Sequence, residues 1–265
     1  ALVKAILGDA KLQGELHLSA VNSINWARIM AQVVYYVYAA VALGAPDRPV
    51  SFTVPTGNFG NVYAAWVARR MGIPIHRLTL ATNRNDILTR FFETGEMRID
   101  KVMPSLSPSM DIQISSNFER YLCDLMRRDC ASLNRLMHAF KTQKVFCIDP
   151  PLMQQAKREF HAERCSDSDT LETMKSCYAE TGLLIDPHTG VGVPAARGAQ
   201  NAPAVPSVIL ACAHPAKFPD AVEQATGIRP ALPPHLADLM DRPEYFTVMP
   251  NDLQKVTAFI RSVNA

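Results

Sequence analysis

Hydrophobic positions recur along this chain with two different periods, and the places where the period changes mark its elements. Between Ser23 and Leu43 the apolar residues Ile24, Met30, Val33, Val34, Val37 and Val41 predict a helix, which Gly44-Ala45-Pro46 stops. The tyrosines Tyr35, Tyr36 and Tyr38 on it read as packing or as a subunit interface. Val50, Phe52 and Val54 are bulky and β-favouring and predict a strand that Pro55 ends. From Tyr63 onward alanines, Trp66 and the Arg69-Arg70 pair suit a helix, Gly72-Ile73-Pro74 punctuates, and Ile75 to Ala81 predicts a second strand. Strand, helix, strand in this spacing implies a parallel crossover. A short helix is expected over Ile87 to Glu93, where Asn83 and Asp86 read as a turn and a helix cap.

Met97 to Gly182 has a different texture. It is rich in helical spacing with mixed charges, and Lys144 to Ile148 is the only strand expected there. Asp149-Pro150-Pro151 and Ser166 to Asp169 mark helix starts, His138 and His161 fall on exposed-looking helices, and the cysteines read as core fillers. Asp186 to Gly192 predicts a turn back into the α/β body, and Ser207 to Ala213 is a continuous apolar run suited to a buried parallel strand. The tail suggests a strand at Tyr245 to Met249 and a helix from Asp252 to Val263. At the other end, Ala1 to Leu7 carries helical spacing without an initiator Met or a cap, so an upstream part is expected to be missing. Gly8 to Gly14 reads as a polar break and Glu15 to Leu18 as a short extended piece. The expected fold class is therefore α/β, a parallel sheet flanked by helices with a helical subdomain inserted. Residues 1–96 and 183–265 would form the body and residues 97–182 the subdomain.

Composition narrows the function classes. With 265 residues, 48% hydrophobic and 20% charged, the chain can bury a core. A net charge of +2 without a basic run interleaved with aromatics argues against nucleic acid, so a small-molecule partner is expected. No apolar run reaches membrane-spanning length. Six cysteines without a C-x-x-C pair predict reduced thiols and a cytoplasmic protein, and no metal site is expected.

The stretch that carries chemistry is Thr56-Gly57-Asn58-Phe59-Gly60-Asn61, between the first strand and its helix. Two glycines permit close approach or positive φ, and the helix that follows points free N–H groups and its positive dipole end back at the turn. A phosphate fits such a turn, although it matches neither the Rossmann nor the Walker pattern, and a plain tight connection would look similar.

With Pro55 in front, this string resembles the phosphate loop of threonine synthases, which are pyridoxal-phosphate (PLP) enzymes of fold type II, the tryptophan synthase β-like fold. Family strings recur in order over nearly the whole chain: Asn22-Ser23-Ile24-Asn25 with Arg28, Ala81-Thr82-Asn83 before Asn85-Asp86, Ser107 to Asp111, and Ala213-His214-Pro215-Ala216-Lys217-Phe218. The resemblance implies that Gly57, Asn58, Phe59, Gly60 and Asn61 hold the PLP phosphate, mainly through backbone N–H groups. It implies that Ser23, Asn25 and Arg28 face the phosphate of the substrate, O-phospho-L-homoserine, while Asn22, Ser23 and Asn25 also suit a helix cap. Cys212 stands where the family places a threonine beside the pyridine nitrogen. The proline- and serine-rich segment Met103 to Asn117 would be a lid or a wall of the active site. The implied reaction turns O-phospho-L-homoserine and water into L-threonine and phosphate, in a monomer or homodimer. No lysine sits where the family has its Schiff base, and Lys217 matches a different, non-catalytic position. The expectation is therefore an inactive fragment with no catalytic residue of its own. The alternatives are a non-catalytic relative that binds PLP or a phosphorylated metabolite, or a plain α/β interaction protein.

Overall fold

A computed structural model of the chain describes residues 2–18, 25–199, 202–211 and 213–263. Its elements in chain order are α1 (Leu2–Gly8), α2 (Ala10–Leu16), α3 (Trp26–Ala42), β1 (Val50–Pro55), α4 (Gly60–Arg70), β2 (Ile75–Thr82), α5 (Ile87–Thr94), β3 (Glu96–Arg98), α6 (Phe118–Leu125), α7 (Cys130–Gln143), β4 (Val145–Cys147), α8 (Pro150–Glu159), β5 (His161–Arg164), α9 (Asp167–Thr181), α10 (Pro187–Gly198), β6 (Ser207–Ile209), α11 (Pro219–Thr226) and α12 (Leu253–Val263). They fall into two compact units, one of residues 1–25 and 232–265 and one of residues 26–231.

In the smaller unit, helix replaces the polar break and extended piece expected between Gly8 and Leu18. The carboxylate of Asp9 accepts from the N–H groups of Lys11 and Leu12 at 2.9 and 3.1 Å, so a new helix starts directly after α1. Arg261 of α12 forks onto Glu15 at 2.9 and 2.8 Å. Both partners are exposed, so water screens this pair. Tyr245 to Met249 forms no strand: β-favouring residues without a neighbouring strand to pair with stay irregular.

The larger unit is built on a four-stranded sheet of order β5-β2-β1-β6. All three pairings are parallel, with Phe52 opposite Leu78 and Pro55 opposite Ala81 between the central strands. β1 is buried along its whole length, as a central strand covered on both faces must be. Side chains alternate along it, so Phe52 and Pro55 point to opposite faces. On one face the Tyr36 ring of α3 meets Phe52 edge-on at 5.0 Å. On the other, α10 passes so close that a Cβ on Gly192 would stand 2.8 Å from Ile209 Cγ2 and 3.2 Å from Pro55 Cγ. The three expected tyrosines divide accordingly, Tyr36 fully buried and Tyr35 and Tyr38 exposed.

Three expectations need correction here. Asp186 to Gly192 is the start of α10, because Asp186 caps it and Pro187 occupies its first turn, and the glycines serve helix-to-sheet packing. The predicted strand Ser207 to Ala213 is regular only over Ser207–Ile209 and is half-exposed, since it has one strand neighbour instead of two. β5, which carries His161, was not anticipated: it is four residues long and none of them is fully buried, so it lacks the apolar run that marks a central strand. Among the described cysteines only Cys165 is buried, and Cys130 and Cys147 are exposed. We keep the helical subdomain of residues 97–182 as a proposal, with β5 as the strand it lends to the sheet.

The close passage of α10 can be tested directly. Gly192→Ala should lower unfolding free energy by about 1–3 kcal/mol, because a Cβ there would force the β-branched Ile209 side chain or the Pro55 ring to shift. Gly198→Ala, in the same helix, meets nothing nearer than Glu163 Oε1 at 3.6 Å and should be neutral or stabilising by up to about 1 kcal/mol. Urea titration of both variants checks the contrast, and equal effects would contradict it.

Candidate functional site

The central strands end side by side, and the polar turns that follow them lie together at the carboxyl edge of the sheet. Thr56 N–H donates to the Ala81 carbonyl at 2.8 Å, extending the pairing by one step before the chain turns. The turn is then fixed by Phe59, which has a left-handed backbone with φ 64° and serves as the N-cap residue of α4. Its ring is buried among Phe118, Tyr121 and Phe160, with centroids 4.9, 5.8 and 5.4 Å away. Of the two uses expected of the glycines, close approach or positive φ, the second is not made: neither Gly57 nor Gly60 has positive φ. Gly57 is needed for a close approach, since a Cβ there would lie 3.2 Å from both Met110 Cα and the Ser109 carbonyl oxygen. A Cβ on Gly60 would lie 3.3 Å from the Asn117 side-chain amide.

No side chain caps α4 and its first turn holds no acidic residue, so the N–H groups of Gly60, Asn61 and Val62 face the turn unpaired by the helix itself. Among the described helices Asp129 caps α7, Ser166 caps α9 within a full capping box and Asp186 caps α10, whereas α5, α6, α8 and α11 have no side-chain cap, like α4. The Tyr36 hydroxyl donates to the Asn61 carbonyl at 3.0 Å and also meets Asn61 Oδ1, tying the turn to α3.

Residues 103–117 form one wall of this place, as expected. Ser115 Oγ donates to the Gly57 carbonyl at 2.8 Å, Ser116 Oγ to Asn58 Oδ1 at 3.2 Å, and Asn117 N–H to the Asn58 carbonyl at 3.0 Å. The wall is pinned by buried polar residues after β2. Asn83 Oδ1 accepts from Asn85 N–H at 2.8 Å, while its amide donates to Ser105 Oγ at 2.7 Å and Asp111 Oδ1 at 2.8 Å. Asn85 adds a bond to Asp111 Oδ1 at 2.8 Å and a reciprocal pair with the Met103 backbone, both at 2.8 Å. Asn83 is thus a turn residue and an anchor at once. Asp86 does not cap α5 with its side chain; it takes Arg90 at 2.9 Å and Arg164 at 2.7 Å instead, joining α5 to β5.

A second support went unread in the sequence. Asp186 and His188 are buried at the start of α10, with His188 Nδ1 at 2.8 Å from Asp186 Oδ1, and the Thr189 hydroxyl donates to Asp186 Oδ2. His188 Nε2 accepts from Ser109 N–H at 3.3 Å, which makes the Nδ1–H tautomer the one that satisfies both contacts. The Phe218 ring lies 4.7 Å from the imidazole, so the string Asp-Pro-His-Thr meets the string His-Pro-Ala-Lys-Phe here. Asp followed by Pro is a helix-start signal; the glycines behind it masked it.

Of the other residues singled out, Ser23 and Cys212 lie outside the described residues. Asn25 is half-buried in the bend before α3, and Arg28 is exposed on the first turn of that helix. Lys217 is exposed, with its ammonium 5.9 Å from the Phe218 ring.

The Asp186 carboxyl has a pH signature. Burial pushes its pKa up, but donation from His188 and Thr189 outweighs burial and holds it below the usual carboxylate value. A depressed folded-state pKa contributes stability that is complete above the unfolded value, about 3.9, and is lost as pH falls through the folded one. Asp186→Asn should therefore cost about 1.5–3 kcal/mol at pH 7, with the deficit against the parent shrinking below about pH 4. Urea unfolding across that range measures it, and a deficit that stays constant down to the acid limit would contradict this.

Comparison with known proteins places this geometry in a family. The family model described as "Threonine synthase, C-terminal" matches residues 189–260. The threonine synthase of Pseudomonas aeruginosa is 51% identical over 260 residues, which is 98% of this chain and 55% of that protein. That of Corynebacterium glutamicum is 41% identical over 266 residues, with the same coverage of 98% and 55%. The crystal structure of PLP-bound threonine synthase from Brucella melitensis superposes with a TM-score of 0.92 at 50% identity, covering 98% of this chain and 56% of that one. The chain thus spans about half the length of the curated relatives it matches. It belongs to the threonine synthase family, matching a C-terminal portion of its members and sharing their fold type II architecture of a parallel sheet flanked by helices.

Proposed function

We propose that this chain is the phosphate-gripping portion of a PLP-dependent threonine synthase, converting O-phospho-L-homoserine and water to L-threonine and phosphate. The observation that carries this reading is the uncapped N-terminus of α4, held open by a left-handed Phe59 whose ring is locked in the core. The residues fit a phosphate: α4 offers unpaired N–H groups, no carboxylate stands in its first turn, and Gly60 leaves free the space a side chain would fill. When bound, PLP supplies the electron sink that proton removal and loss of the substrate phosphate require.

In this reading Gly57, Asn58, Phe59, Gly60 and Asn61 hold the cofactor phosphate, and their backbone needs no rearrangement to do so. The wall of residues 103–117, pinned by Asn83, Asn85 and Asp111, keeps bulk water from the same turn. Arg28 with Ser23 and Asn25 attracts the substrate phosphate, for which an exposed guanidinium at the start of a helix is well suited. Cys212 would stand beside the ring nitrogen of the cofactor, a weakly polar neighbour that leaves that nitrogen without a strong proton partner. No helix among the described residues is long and apolar enough to cross a membrane. We place the protein in the cytoplasm, as a monomer or homodimer without a nucleic-acid partner.

The second reading, a non-catalytic relative that binds PLP or a phosphorylated metabolite, shares the α4 turn and differs only in turnover. The full-length gene product should bind PLP and release phosphate and threonine from O-phospho-L-homoserine; binding without release would favour the second reading. Gly60→Asp sets a carboxylate at the mouth of α4, a position where an acid suits the helix dipole, so folding should persist while PLP affinity falls by about a hundredfold or more. Unchanged affinity in that variant would remove the turn from the binding site.

A further inference from the structure

Asn117 is completely buried at the contact between the wall and the α4 turn, and three of its four polar groups are accounted for, its carbonyl accepting from Arg120 N–H at 3.1 Å. Its N–H donates to the Asn58 carbonyl at 3.0 Å, and its Oδ1 accepts from Arg120 Nε at 3.0 Å. Its Nδ2 is buried with no hydrogen-bond partner. Rotating the amide by half a turn does not help, because it would set the NH2 group against the Arg120 N–H, donor against donor. Native interiors keep few unpaired amide donors, since such a group has lost its water and gained nothing in return.

The position of that donor supplies its explanation. Nδ2 stands 3.3 Å from where a Cβ of Gly60 would be, beside the first residue of α4, and the absence of a side chain on Gly60 leaves the space in front of it open. The N–H groups at the start of α4 open onto the same turn without a capping side chain. Donors from two separate segments therefore converge on one place with no carboxylate in the helix's first turn to receive them. A phosphate, with three acceptor oxygens and near-double negative charge, is the group that satisfies them together.

We propose that Asn117 is a further phosphate-binding residue, its Nδ2 donating to an oxygen of the anion held at the N-terminus of α4. This rests on the reading of that turn as the PLP-phosphate site, and it adds a ligand from outside the loop. Asn117 thereby has two duties: its backbone and Oδ1 fix the wall against the loop, and its amide nitrogen faces the ligand.

The test uses the full-length gene product, with PLP and pyridoxal, which lacks the phosphate, as paired probes. Dissociation constants are measured by fluorescence and the bound PLP phosphate is observed by phosphorus NMR. Asn117→Ala should weaken PLP about tenfold or more, move the phosphorus resonance and leave pyridoxal unchanged. Asn117→Asp keeps the size and the acceptor for Arg120, so it should fold, but it replaces the donor with a charge that repels the phosphate; it should weaken PLP more than Asn117→Ala does. A purely structural role predicts the reverse order, because Asp preserves the packing that Ala removes. If Asn117→Asp holds PLP better than Asn117→Ala, or if either variant weakens PLP and pyridoxal alike, the inference is overturned while the α4 turn keeps its assignment. If the parent itself binds PLP no more tightly than pyridoxal, the reading of the turn fails first and the inference falls with it.

Discussion

One backbone residue holds the arrangement open: Phe59, in a conformation that side chains other than glycine seldom adopt. The left-handed region costs such a residue about 1–2 kcal/mol. Full burial of an aromatic side chain contributes about 1.5–3 kcal/mol, and the edge-on contacts with Phe118 and Phe160 add to it, so the ring overcomes the backbone strain. A glycine at this place would relax the strain but would also release the anchor. The turn from β1 to α4 is therefore rigid because a large side chain is used where a small one would be easier to accommodate. That rigidity keeps the first N–H groups of α4 aimed at one point.

The rest of the site is built outward from this turn by polar bonds that are buried or partly buried. Gly57 lets the Ser109–Met110 backbone come within contact distance, His188 accepts from the Ser109 N–H, and Asp111 holds the start of the segment at the Ser105 N–H. Met110 is buried in a small apolar cluster with Ala81, Val191 and Ala195, so the same segment is also fixed by β2 and α10. A buried polar network of this kind contributes little net stability per bond but is costly to leave half-made. Its members therefore move together or not at all. The wall over residues 103–117 is better described as part of the loop's own support than as a separate flap.

The sequence makes the core of this design legible and hides its supports. β1, α4 and β2 announce themselves because a buried strand, a glycine turn and an alanine-rich helix each leave a local pattern. The strings around Gly57, Asn83, Ser107 and His214 could be read as chemistry because they resemble those of threonine synthases; residue type alone suggests an anion site only at the turn of residues 56–61, and a turn and cap at Asn83 and Asp86. What stayed hidden depends on partners far away in the chain. β5 has no apolar run because α5 and α10 cover it only in part; α10 looks like a turn because its glycines serve the approach to Ile209 and Pro55. Asn117 reads in the sequence as a helix-entry residue before Phe118, and nothing nearby says that its backbone N–H bonds the Asn58 carbonyl and its side-chain amide lies beside Gly60, more than fifty residues earlier. Tyr245 to Met249 fails in the opposite sense, having the right composition and no neighbour to pair with.

The unequal treatment of helix ends has an energetic consequence. Omitting a capping side chain forgoes about 1 kcal/mol, which the chain secures at α7, α9 and α10 with Asp129, Ser166 and Asp186. At α4, as at α5, α6, α8 and α11, it is forgone, and at α4 the Asn117 side-chain amide is in addition left buried without a partner beside the first helical residue. Both deficits are of the kind that one anion removes at once. A ligand present at a hundred times its dissociation constant stabilises the folded state by about 2.7 kcal/mol, more than the missing cap alone. The α4 turn is thus less stable than it would be with an Asp or Ser at its head, and in the proposed reading that deficit is what leaves neutral donors for a phosphate. In that reading stability and binding are set by the same few atoms, so the loop cannot be improved for one without loss to the other.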